Sequence, residues 1–556
     1  MPGTKLETPI LIIGGGPVGL ALASDLGLRG VSCMVVEQGE GLPDHPRATA
    51  LNSRSMEFMR RWGIADAVHA AGTPDDFPHT VLYCTSLTGY EIARIERPGH
   101  GGRERIKNSP ERPQRCNQLF LDPILTQLAN SFDVVKLRYN CCLESITEAG
   151  DHVIATVHDR AKDRKIEIAA QYIVDCSGGR TVIRPALGID MHGSPYVGYF
   201  LSIFVRAPEL WKHHAMGKAA LVTFVDAKGL WRNLISLDGR ELYRLGVTGK
   251  QYYDAPDQVD ADKFFREVVG KDVPHQILSA RRWMARNVVA DRYGHGRIFF
   301  AGDAAHLNHP AAGLGLNTGL GDAVDLGWKL SAVLARWGGA GLLDSYQLER
   351  RPVGIRNIGH ADASHNSERQ QPTHPEIALD TSAGAEARRK MGEELVRVQT
   401  QRVITDGLAL GYQYAASPIV CSEESKPQPS PTAEYHPTTL AGSRAPHAWL
   451  SDGRSTLDLF GNGFTLLRLG VGAPQAAGIE RAFSERRVPL STVVIPDPAI
   501  ATLYERKLVL VRPDGHVAWR ADQESEDPVE LVDRVRGANG ANPMPSACSG
   551  RQVQEA

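Results

Sequence analysis

The sequence predicts an α/β protein in which a parallel sheet flanked by helices is interrupted by an antiparallel sheet and followed by a smaller C-terminal domain. Two glycine-rich bends carry this prediction, because each follows a short apolar strand and precedes a helix. The first is "LIIGGGPVGLALA", beginning at Leu11, and the second is "FFAGDAAHLNHPAAGLGLNTGLGDAV" over 299–324. Between them lie strand candidates in which apolar and polar residues partly alternate, the pattern of an antiparallel sheet.

The composition is that of an ordinary globular chain with several domains. Its 556 residues are too many for one core, and 42% hydrophobic with 23% charged residues is a usual balance. A net charge of −2 argues against a nucleic-acid partner or an anionic membrane. Eight cysteines without a C-x-x-C motif favour neither a disulfide framework nor a zinc site. Pro17, Asp25 and three consecutive glycines break the apolar N-terminal run, so it indicates neither a signal peptide nor a membrane span, and we expect a cytoplasmic protein.

The first bend has the spacing of a dinucleotide site. Gly14, Gly16 and Gly19 form G-x-G-x-x-G between the strand "TPILII" and a helix that Pro17 opens. In such a site the glycines allow a tight turn, close approach to a pyrophosphate and close packing of helix on strand. Glu37 ends the next strand, "SCMVVE", 23 residues after Gly14, where a carboxylate can accept from a ribose hydroxyl.

The second bend indicates which dinucleotide is bound. The strand "RIFFAGD" ends at Asp303, whose carboxylate can accept from a ribityl or ribose hydroxyl. Pro310, Gly313 and Gly315 follow, and the glycines permit close backbone approach. A helix then begins near Asn317, and its positive dipole end suits the electron-rich edge of a reduced flavin. We therefore favour FAD.

These segments resemble the FAD-dependent aromatic hydroxylases, the para-hydroxybenzoate hydroxylase fold in its phenol hydroxylase-type branch. "GDAAHLNHPAAGLGLNTGLGDAVDLGWKL" resembles the G-D motif of that family, and "GGGPVGL" with Glu37 its FAD-binding start. "HPRATALNSRSMEFMRRWGI" and "NQLFLDPIL" supply Arg47 and Gln118, which the resemblance places at the cofactor. The likeness covers about residues 7 to 353. Segments between "TTLAGSRAPHAWL" and "LVLVRPDGHVAWR" resemble the thioredoxin-like C-terminal domain of that branch.

The resemblance implies a monooxygenase. NADPH or NADH would reduce FAD, O₂ would add at flavin C4a, and the resulting C4a-hydroperoxyflavin would hydroxylate a phenolic or other electron-rich aromatic compound. The protein orients the ring and excludes water. The predicted cofactor-binding residues are Gly14, Gly16, Pro17, Gly19, Glu37, Arg47, Gln118, Asp303, Pro310, Gly313, Gly315, Leu316 and Asn317.

Two departures from the family pattern concern the space around the cofactor. The family has an acid and a serine in its middle motif, strand-D-G-x-x-S-x-x-R, where this chain reads "YIVDCSGGRTVIRPALGI". Ser177 stands where the acid belongs, Thr181 where the serine belongs, and Asp175 lies two residues earlier. We expect this exchange to affect nicotinamide binding rather than FAD binding. Ala312 replaces a glycine of the G-D segment and would narrow the space beside the flavin.

The FAD-binding domain is predicted to be Rossmann-like and discontinuous. The antiparallel substrate sheet is inserted in it, with strand candidates "TVLYCTS", "YFLSIFVRA", "AALVTFVDA", "RNLISL" and "LYRLGVTG". The predicted division is 1–75, 105–185 and 285–355 for the FAD-binding domain, 76–104 and 186–284 for the substrate domain, 356–430 for a helical segment and linker, 431–540 for the thioredoxin-like domain and 541–556 for a disordered tail.

The sequence names no catalytic base. Tyr196, Tyr199 and Tyr243 are candidates in or near the predicted substrate sheet, although a core or surface role is favoured for each taken singly. Thr49 is a further candidate, because the resemblance implies a substrate-facing base after its Pro-Arg-Ala segment in some relatives, but a threonine is a poor base. Three arginines of the same domain could pair with an acidic substituent of the substrate: Arg232, Arg244 and Arg281. His306 and His309 have a spacing that suits a metal, but no third ligand is evident, so no metal is predicted.

Other functions stay open at this point. One is a flavin enzyme of another reaction type, a dehydrogenase or halogenase, although the W-x-W-x-I-P signature of flavin halogenases is absent from the sequence. Another is a protein whose flavin is structural or sensory, which the altered "DCSGG" segment leaves open. Whether the protein forms a homodimer also stays open.

Overall fold

A computed structural model describes residues 4–96, 107–254, 259–310, 313–369, 374–403, 406–421 and 434–538. Ala312 and the predicted disordered tail lie outside these residues, and so does most of the predicted linker. The strands are β1 (Thr4–Ile13), β2 (Cys33–Val36), β3 (Ala50–Leu51), β4 (Val81–Cys84), β5 (Glu91–Ile95), β6 (Gln114–Arg115), β7 (Val135–Arg138), β8 (Cys141–Ala149), β9 (His152–Asp159), β10 (Arg164–Asp175), β11 (Met191–Arg206), β12 (Leu221–Asp226), β13 (Gly229–Ser236), β14 (Leu242–Thr248), β15 (Gln276–Ala290), β16 (Gly294–His295), β17 (Ile298–Phe300), β18 (His306–Leu307), β19 (Phe464–Leu469), β20 (Leu490–Ile495), β21 (Leu508–Val511) and β22 (Val517–Ala521).

The helices are α1 (Pro17–Leu28), α2 (Ser53–Arg61), α3 (Ala65–Ala71), α4 (Gln118–Asn130), α5 (Ile183–Ala186), α6 (Lys250–Asp254), α7 (Ala261–Val269), α8 (Gly315–Leu334), α9 (Asp344–Arg369), α10 (Ser382–Val403), α11 (Asp406–Leu410), α12 (Ala477–Glu485), α13 (Pro498–Tyr504) and α14 (Pro528–Val535). Among the described residues, no helix has the length and apolar character needed to cross a membrane.

The first sheet is the parallel sheet of the predicted α/β domain. Its order is β16-β17-β10-β1-β2-β7, in which β17, β10, β1, β2 and β7 run parallel to one another and β16 is antiparallel to β17. The antiparallel strands β8 and β9 extend it beside β10. Helix α1 lies buried between this sheet and α8, which explains why its sequence is apolar on nearly every side. The α/β fold class is therefore confirmed.

The second sheet is the inserted one, ordered β18-β15-β11-β14-β13-β12-β4-β5. It is antiparallel as predicted except for one pair, since β12 runs parallel to β4. All five predicted strand segments form strands, but the long strand β15, which pairs with β11, was not predicted. One face packs on α7 around an apolar core, and α10 covers the outer strands of the opposite face.

The remaining described chain forms helices α9 to α14 and a four-stranded C-terminal sheet. Helices α9, α10 and α11 account for most of the segment predicted to be helical, and α9 begins earlier than predicted, at Asp344. The C-terminal sheet is mixed, with order β20-β19-β21-β22, and α12 and α14 pack on one side of it. Helix α13 packs on the core of the other side.

Candidate cofactor and active site

The two glycine-rich bends meet at one edge of the parallel sheet. Gly14 follows β1, Glu37 follows β2, Ser177 lies two residues after β10 and Asp303 three residues after β17. These four strands are parallel neighbours, so their carboxyl ends share an edge. Ligands of such sheets bind outside the carboxyl ends of the strands. The sequence motifs, nearly three hundred residues apart, thus form a single site.

The first bend leaves space where a phosphate would lie. Gly14 has φ +104°, and a Cβ there would lie 2.5 Å from the carbonyl oxygen of Cys176. A Cβ on Gly19 would lie 2.0 Å from the carbonyl oxygen of Gly14, so helix and strand touch at this point. A Cβ on Gly16, by contrast, would meet no described atom within 4 Å. Two glycines are required by the fold, and the third borders an open cradle next to the start of α1, where Pro17 is the first residue.

Glu37 fixes the shape of this bend. Its Oε2 accepts from the backbone N–H of Gly15 at 2.8 Å, and its Oε1 accepts from the N–H of Gly39 at 2.8 Å. Each carboxylate oxygen can accept a second hydrogen bond, so the residue is still able to bind a ribose hydroxyl. The predicted role fits the geometry.

Gln118 and Arg47 lie beside a carboxyl that the sequence analysis did not identify. Gln118 is the first residue of α4, and its Nε2 donates to Oδ2 of Asp122 at 3.0 Å. Oδ1 of Asp122 is buried without a hydrogen-bond partner in the described part of the chain. Burial raises the pKa of Asp122 to about 7, against the opposing charge of Arg47. A buried acceptor without a partner is what a ligand hydroxyl would satisfy.

The backbone next to Asp303 is fixed by hydrogen bonds to the buried side chain of Asp322. Oδ2 of Asp322 accepts from the backbone N–H of Gly302 at 3.0 Å and from Nε2 of His306 at 2.8 Å. Oδ1 of Asp322 accepts from Nε of Arg350 at 2.8 Å. The Asp303 carboxylate itself is exposed within a recess of the protein, where desolvation raises its pKa, while His306 and Arg47 act in the opposite direction. It is free to accept from a ligand.

The segment after Asp303 leads into α8. Pro310 is exposed, Gly313 has φ +63°, and α8 begins with Gly315 and Leu316 rather than at Asn317. A Cβ on Gly319 would lie 3.1 Å from Cα of Gly302, so the start of this helix lies at the same edge of the sheet. The first-turn residues fit an electron-rich ring edge.

Asn317 has a structural role at this point. Its Nδ2 donates to the carbonyl oxygens of Ala50 and Gly313, and its Oδ1 accepts from Asn52 N and Ser55 Oγ. The side chain holds the segment after β2 against α8. Its amide has little capacity left for a cofactor, so we now assign it to the support of the site.

The segment "YIVDCSGG", which corresponds to the family's middle motif, has a buried acid, Asp175. Asp175 is fully buried at the end of β10, while Ser177 is exposed. Oδ1 of Asp175 accepts from the backbone N–H of Ser177 at 2.9 Å and from its Oγ at 2.6 Å, and Thr181 Oγ1 donates to Oδ2. Burial raises the pKa of Asp175 despite these donors. Asp175 therefore does not substitute for an acid at position 177.

The proposed catalytic candidates do not gather at the site. Tyr243 is fully buried in the core against α7, and its hydroxyl donates to the carbonyl oxygen of Arg240. Tyr196 is 68% exposed, and Tyr199 packs its ring against Tyr253. Thr49 accepts at Oγ1 from Nδ2 of Asn117. We retain none of these four as a catalytic base.

His45 joins the cofactor side to the inserted sheet, and sequence reasoning missed it. Its Nδ1 lies 2.8 Å from Oγ of Ser279 on β15, and its Nε2 lies 2.9 Å from Oγ of Ser202 on β11. Burial and the charges of two arginines, Arg281 and Arg244, lower the pKa of His45 to about 4, so it is neutral at pH 7. Only the fold brings these three segments together.

The face of the inserted sheet that is turned away from α7 carries aromatic residues near the second bend. Phe200 stacks on Trp283, with ring centroids 4.5 Å apart, and lies 5.6 Å from the ring of His309, next to Pro310. Nε2 of His306 is hydrogen-bonded to Oδ2 of Asp322. No group of side chains able to bind a metal ion is found among the described residues.

Comparisons with known proteins identify the families that this chain resembles. Residues 7–361 match the family model described as an FAD binding domain, and residues 438–541 match the model of the aromatic-ring hydroxylase C-terminal domain. The chain is 32% identical to a 4-methyl-5-nitrocatechol 5-monooxygenase of Burkholderia sp, over 96% of this chain and 97% of that protein.

Two solved structures are similar over almost their whole length. The structure of chromopyrrolic acid-soaked RebC with bound 7-carboxy-K252c has a TM-score of 0.90 and 39% identity, and covers 96% of this chain and 100% of that one. The flavin-dependent monooxygenase PieE in complex with FAD and substrate has a TM-score of 0.86 and 29% identity, covering 96% and 99%.

Proposed function

The chain belongs to the family of FAD-dependent aromatic-ring hydroxylases, and from this we propose that it hydroxylates a phenolic or other electron-rich aromatic compound with O₂ and NAD(P)H. The observation that carries the proposal is the meeting of the two bends at one sheet edge, below the aromatic face of the inserted sheet. Electron-rich rings are the expected substrates, because a phenolate donates strongly into its ortho and para positions.

The residues of the site fit FAD. The cradle at Gly16 would take the pyrophosphate, Glu37 a ribose hydroxyl and Asp303 a ribityl hydroxyl, while the start of α8 would face the flavin ring. Bound FAD supplies the redox chemistry of the reaction. Arg47 is exposed beside this region and offers a positive charge to the phosphates.

The protein's own residues bind and orient the substrate. Phe200 and Trp283 offer an apolar wall for an aromatic ring, and His45 holds the segment after β2 against the sheet through two serines. Such a wall excludes water from the reacting atoms. Tyr243 lies in the core on the other face of the sheet and threonine is a poor base, so a proton relay through water is the arrangement we favour for the phenolic proton.

Product analysis under ¹⁸O₂ tests the proposed function. The FAD-loaded enzyme is incubated with NADH or NADPH and a panel of phenols, and the products are examined by mass spectrometry. We expect a product that gains one labelled oxygen atom. Conversion of a substrate without label would contradict the proposal and indicate a flavin dehydrogenase or oxidase.

A further inference from the structure

A small cavity lies on the side of α8 that is turned away from the second bend. Its volume is about 20 Å³, enough for a water molecule or a monatomic ion. At the start of α8 its wall contains Leu314, Thr318 and Gly321, which are three or four residues apart and so share one face of the helix. Gly319 is on another face, where a Cβ would lie 3.1 Å from Cα of Gly302. The cavity therefore lies across α8 from the candidate cofactor site.

Two buried arginines line the cavity, and neither uses all of its N–H groups. Arg54 of α2 donates through Nη1 to Glu57 at 2.9 Å and through Nη2 to the carbonyl oxygen of Asp514 at 2.7 Å. The Nε of Arg54 is buried without a hydrogen-bond partner in the described part of the chain. Arg350 of α9 makes one hydrogen bond from each of its three nitrogens. A guanidinium group has five N–H donors, so both side chains can donate further hydrogen bonds.

A third guanidinium group next to the cavity has no counter-charge. Nη2 of Arg356, on α9, donates to the carbonyl oxygen of Leu408 and to the amide oxygen of Asn357, two residues that line the cavity. Arg356 forms no ion pair with any described residue, and its Nη1 is buried without a hydrogen-bond partner among them. Burial lowers the pKa of Arg356 to about 10, so the group stays charged at pH 7. A buried charge of this kind is unfavourable unless an anion lies nearby.

Tyr412 lines the cavity and lies close to all three arginines. Its ring centroid is 5.5 Å from Cζ of Arg350 and 5.7 Å from Cζ of Arg356. Burial and then the Tyr412 hydroxyl are the two strongest influences on the pKa of Arg54, so the hydroxyl lies near this guanidinium group as well. The hydroxyl forms no hydrogen bond with any described residue. It is therefore able to donate to a ligand in the cavity.

The carboxylates around the cavity already have partners. Glu57 accepts from both Arg54 and Arg444, and Asp322 accepts from Arg350. Neither carboxylate forms an ion pair with the third arginine of the cavity. Three further carboxylates belong to a separate cluster with two cations: Asp325, Glu349 and Asp514 with Arg512 and Lys329. The described side chains thus leave positive charge at the cavity.

We propose that the cavity between α2, α8 and α9 binds a chloride ion, which accepts from N–H groups of Arg54 and Arg350 and from the hydroxyl of Tyr412 and balances the charge of Arg356. The unused groups at the cavity are N–H and O–H donors. They suit an acceptor with negative charge better than a water molecule, because water must also donate hydrogen bonds. The bound ion would connect the segment after α11 to the start of α8 and stabilise the folded protein.

Bromide locates the ion directly, because it replaces chloride and scatters X-rays anomalously. Crystals of the FAD-loaded protein are soaked in sodium bromide, and data are collected at the bromine absorption edge. We expect an anomalous peak in the cavity, within hydrogen-bond distance of Arg54 and of the Tyr412 hydroxyl. Density for water alone, without an anomalous peak, would overturn the proposal.

Thermal unfolding in solution separates a true site from binding at crystal concentration only. Sodium chloride is exchanged for sodium gluconate at constant ionic strength, and the midpoint of the FAD-loaded protein is recorded at each chloride concentration. We expect the midpoint to rise with chloride along a binding curve, because a ligand that binds only the folded state stabilises it by mass action. A midpoint that does not depend on chloride would overturn the proposal even where a bromide peak is seen.

Variants assign the chloride dependence to the cavity. Tyr412→Phe removes the hydroxyl donor and keeps the ring, and Arg356→Gln removes the uncompensated charge. Each should require at least tenfold more chloride for the half-maximal effect on the midpoint. The matched control is Arg351→Gln on the same helix, since Arg351 donates to the carbonyl oxygen of Ala290, away from the cavity, and this variant should keep the natural chloride dependence.

The readout is the chloride concentration at half-maximal effect, so a general loss of stability in a variant does not imitate the expected result. FAD content and circular dichroism check that each variant folds. An unchanged chloride dependence in both Tyr412→Phe and Arg356→Gln would contradict the proposal, and so would an equal loss in Arg351→Gln.

Discussion

At the scale of single residues, Asp303 is the side chain of the second bend that we propose binds the ligand. Its carboxylate is exposed in the recess, while the neighbouring backbone is held by Asp322. In Asp303→Ala, a ribityl hydroxyl loses a charge-assisted partner worth about 1.5–3 kcal/mol, which corresponds to a roughly ten- to hundredfold weaker affinity for FAD. Titration of the FAD-free protein with FAD, followed by flavin fluorescence, measures the change. Asp133→Ala, at an exposed position, is the control, and equal affinities in the two variants would remove the assigned role.

Ser177 is the residue at which this chain departs from its family near the cofactor. Its hydroxyl donates to buried Asp175 and carries no charge into the site. We therefore expect slow anaerobic reduction of bound flavin by NADPH and NADH, and a faster rate in Ser177→Asp, because the acid would face the nucleotide directly. Stopped-flow absorbance follows the reaction. Ser177→Ala should behave like the natural protein, and identical rates in Ser177→Asp would exclude the residue from nucleotide recognition.

Some site residues could be predicted from the sequence and others could not, for a physical reason. Gly14, Glu37 and Asp303 each follow an apolar strand, so local pattern alone places them at the sheet edge. Asp122 lies within a segment quoted for Gln118, four residues on, and the helical i, i+4 spacing was an available signal. His45 gave no local signal, since its two serine partners are on distant strands.

At the scale of elements, the first bend separates what the fold requires from what the ligand requires. Gly19→Ala should destabilise even the FAD-free protein, because its Cβ would overlap the carbonyl oxygen of Gly14. Gly16→Ala should leave the FAD-free protein as stable as the natural one but weaken FAD binding at least tenfold, since the cradle is filled. Thermal unfolding without FAD and titration with FAD distinguish the two. A Gly16→Ala protein with normal FAD affinity would refute the placement of the pyrophosphate.

The longest of the strands that the sequence did not predict, β15, shows how tertiary pairing overrides sequence pattern. β15 reads "QILSARRWMARNVVA", whose first half is rich in arginine and mostly exposed. Its arginines do not alternate with apolar residues, so the period-2 signal is weak. The strand forms because it pairs with β11 over most of its length and with β18 at its end. It thereby connects the inserted sheet to the second bend.

At the scale of the whole molecule, buried ions join the C-terminal domain to the cofactor domain. Arg512, at the end of β21, is fully buried and contacts three carboxylates: Asp325 of α8, Glu349 of α9 and Asp514 of its own turn. Lys329 completes the group from α8. The C-terminal domain therefore packs against α8, the helix that begins at the candidate cofactor site.

Removal of Arg512 tests this connection. Arg512→Met leaves buried carboxylates with too little positive charge, which should cost about 3–5 kcal/mol of folding free energy and lower the thermal midpoint by several degrees. FAD affinity should fall as well, because α8 loses its support. Arg454→Met is the control: its ion pair with Asp452 is exposed on the same domain, so the midpoint should hardly change. Equal midpoints for the two variants would show that the buried cluster is not needed.

Acid should destabilise the folded protein, and buried histidines set the pH range. Burial lowers the pKa of His45 and His516 to about 4 and that of His309 to about 3, from an ordinary value near 6.5. Between these values the unfolded chain binds protons that the folded chain does not, so the free energy of unfolding rises with pH. The stability they contribute is complete above pH 6.5 and is lost as the pH falls toward 4. The thermal midpoint of the FAD-loaded protein should therefore drop steadily from pH 7 to pH 5, against the opposite contribution of Asp122, whose pKa burial raises to about 7. A midpoint that stays level or rises in acid would contradict the prediction that the histidines dominate.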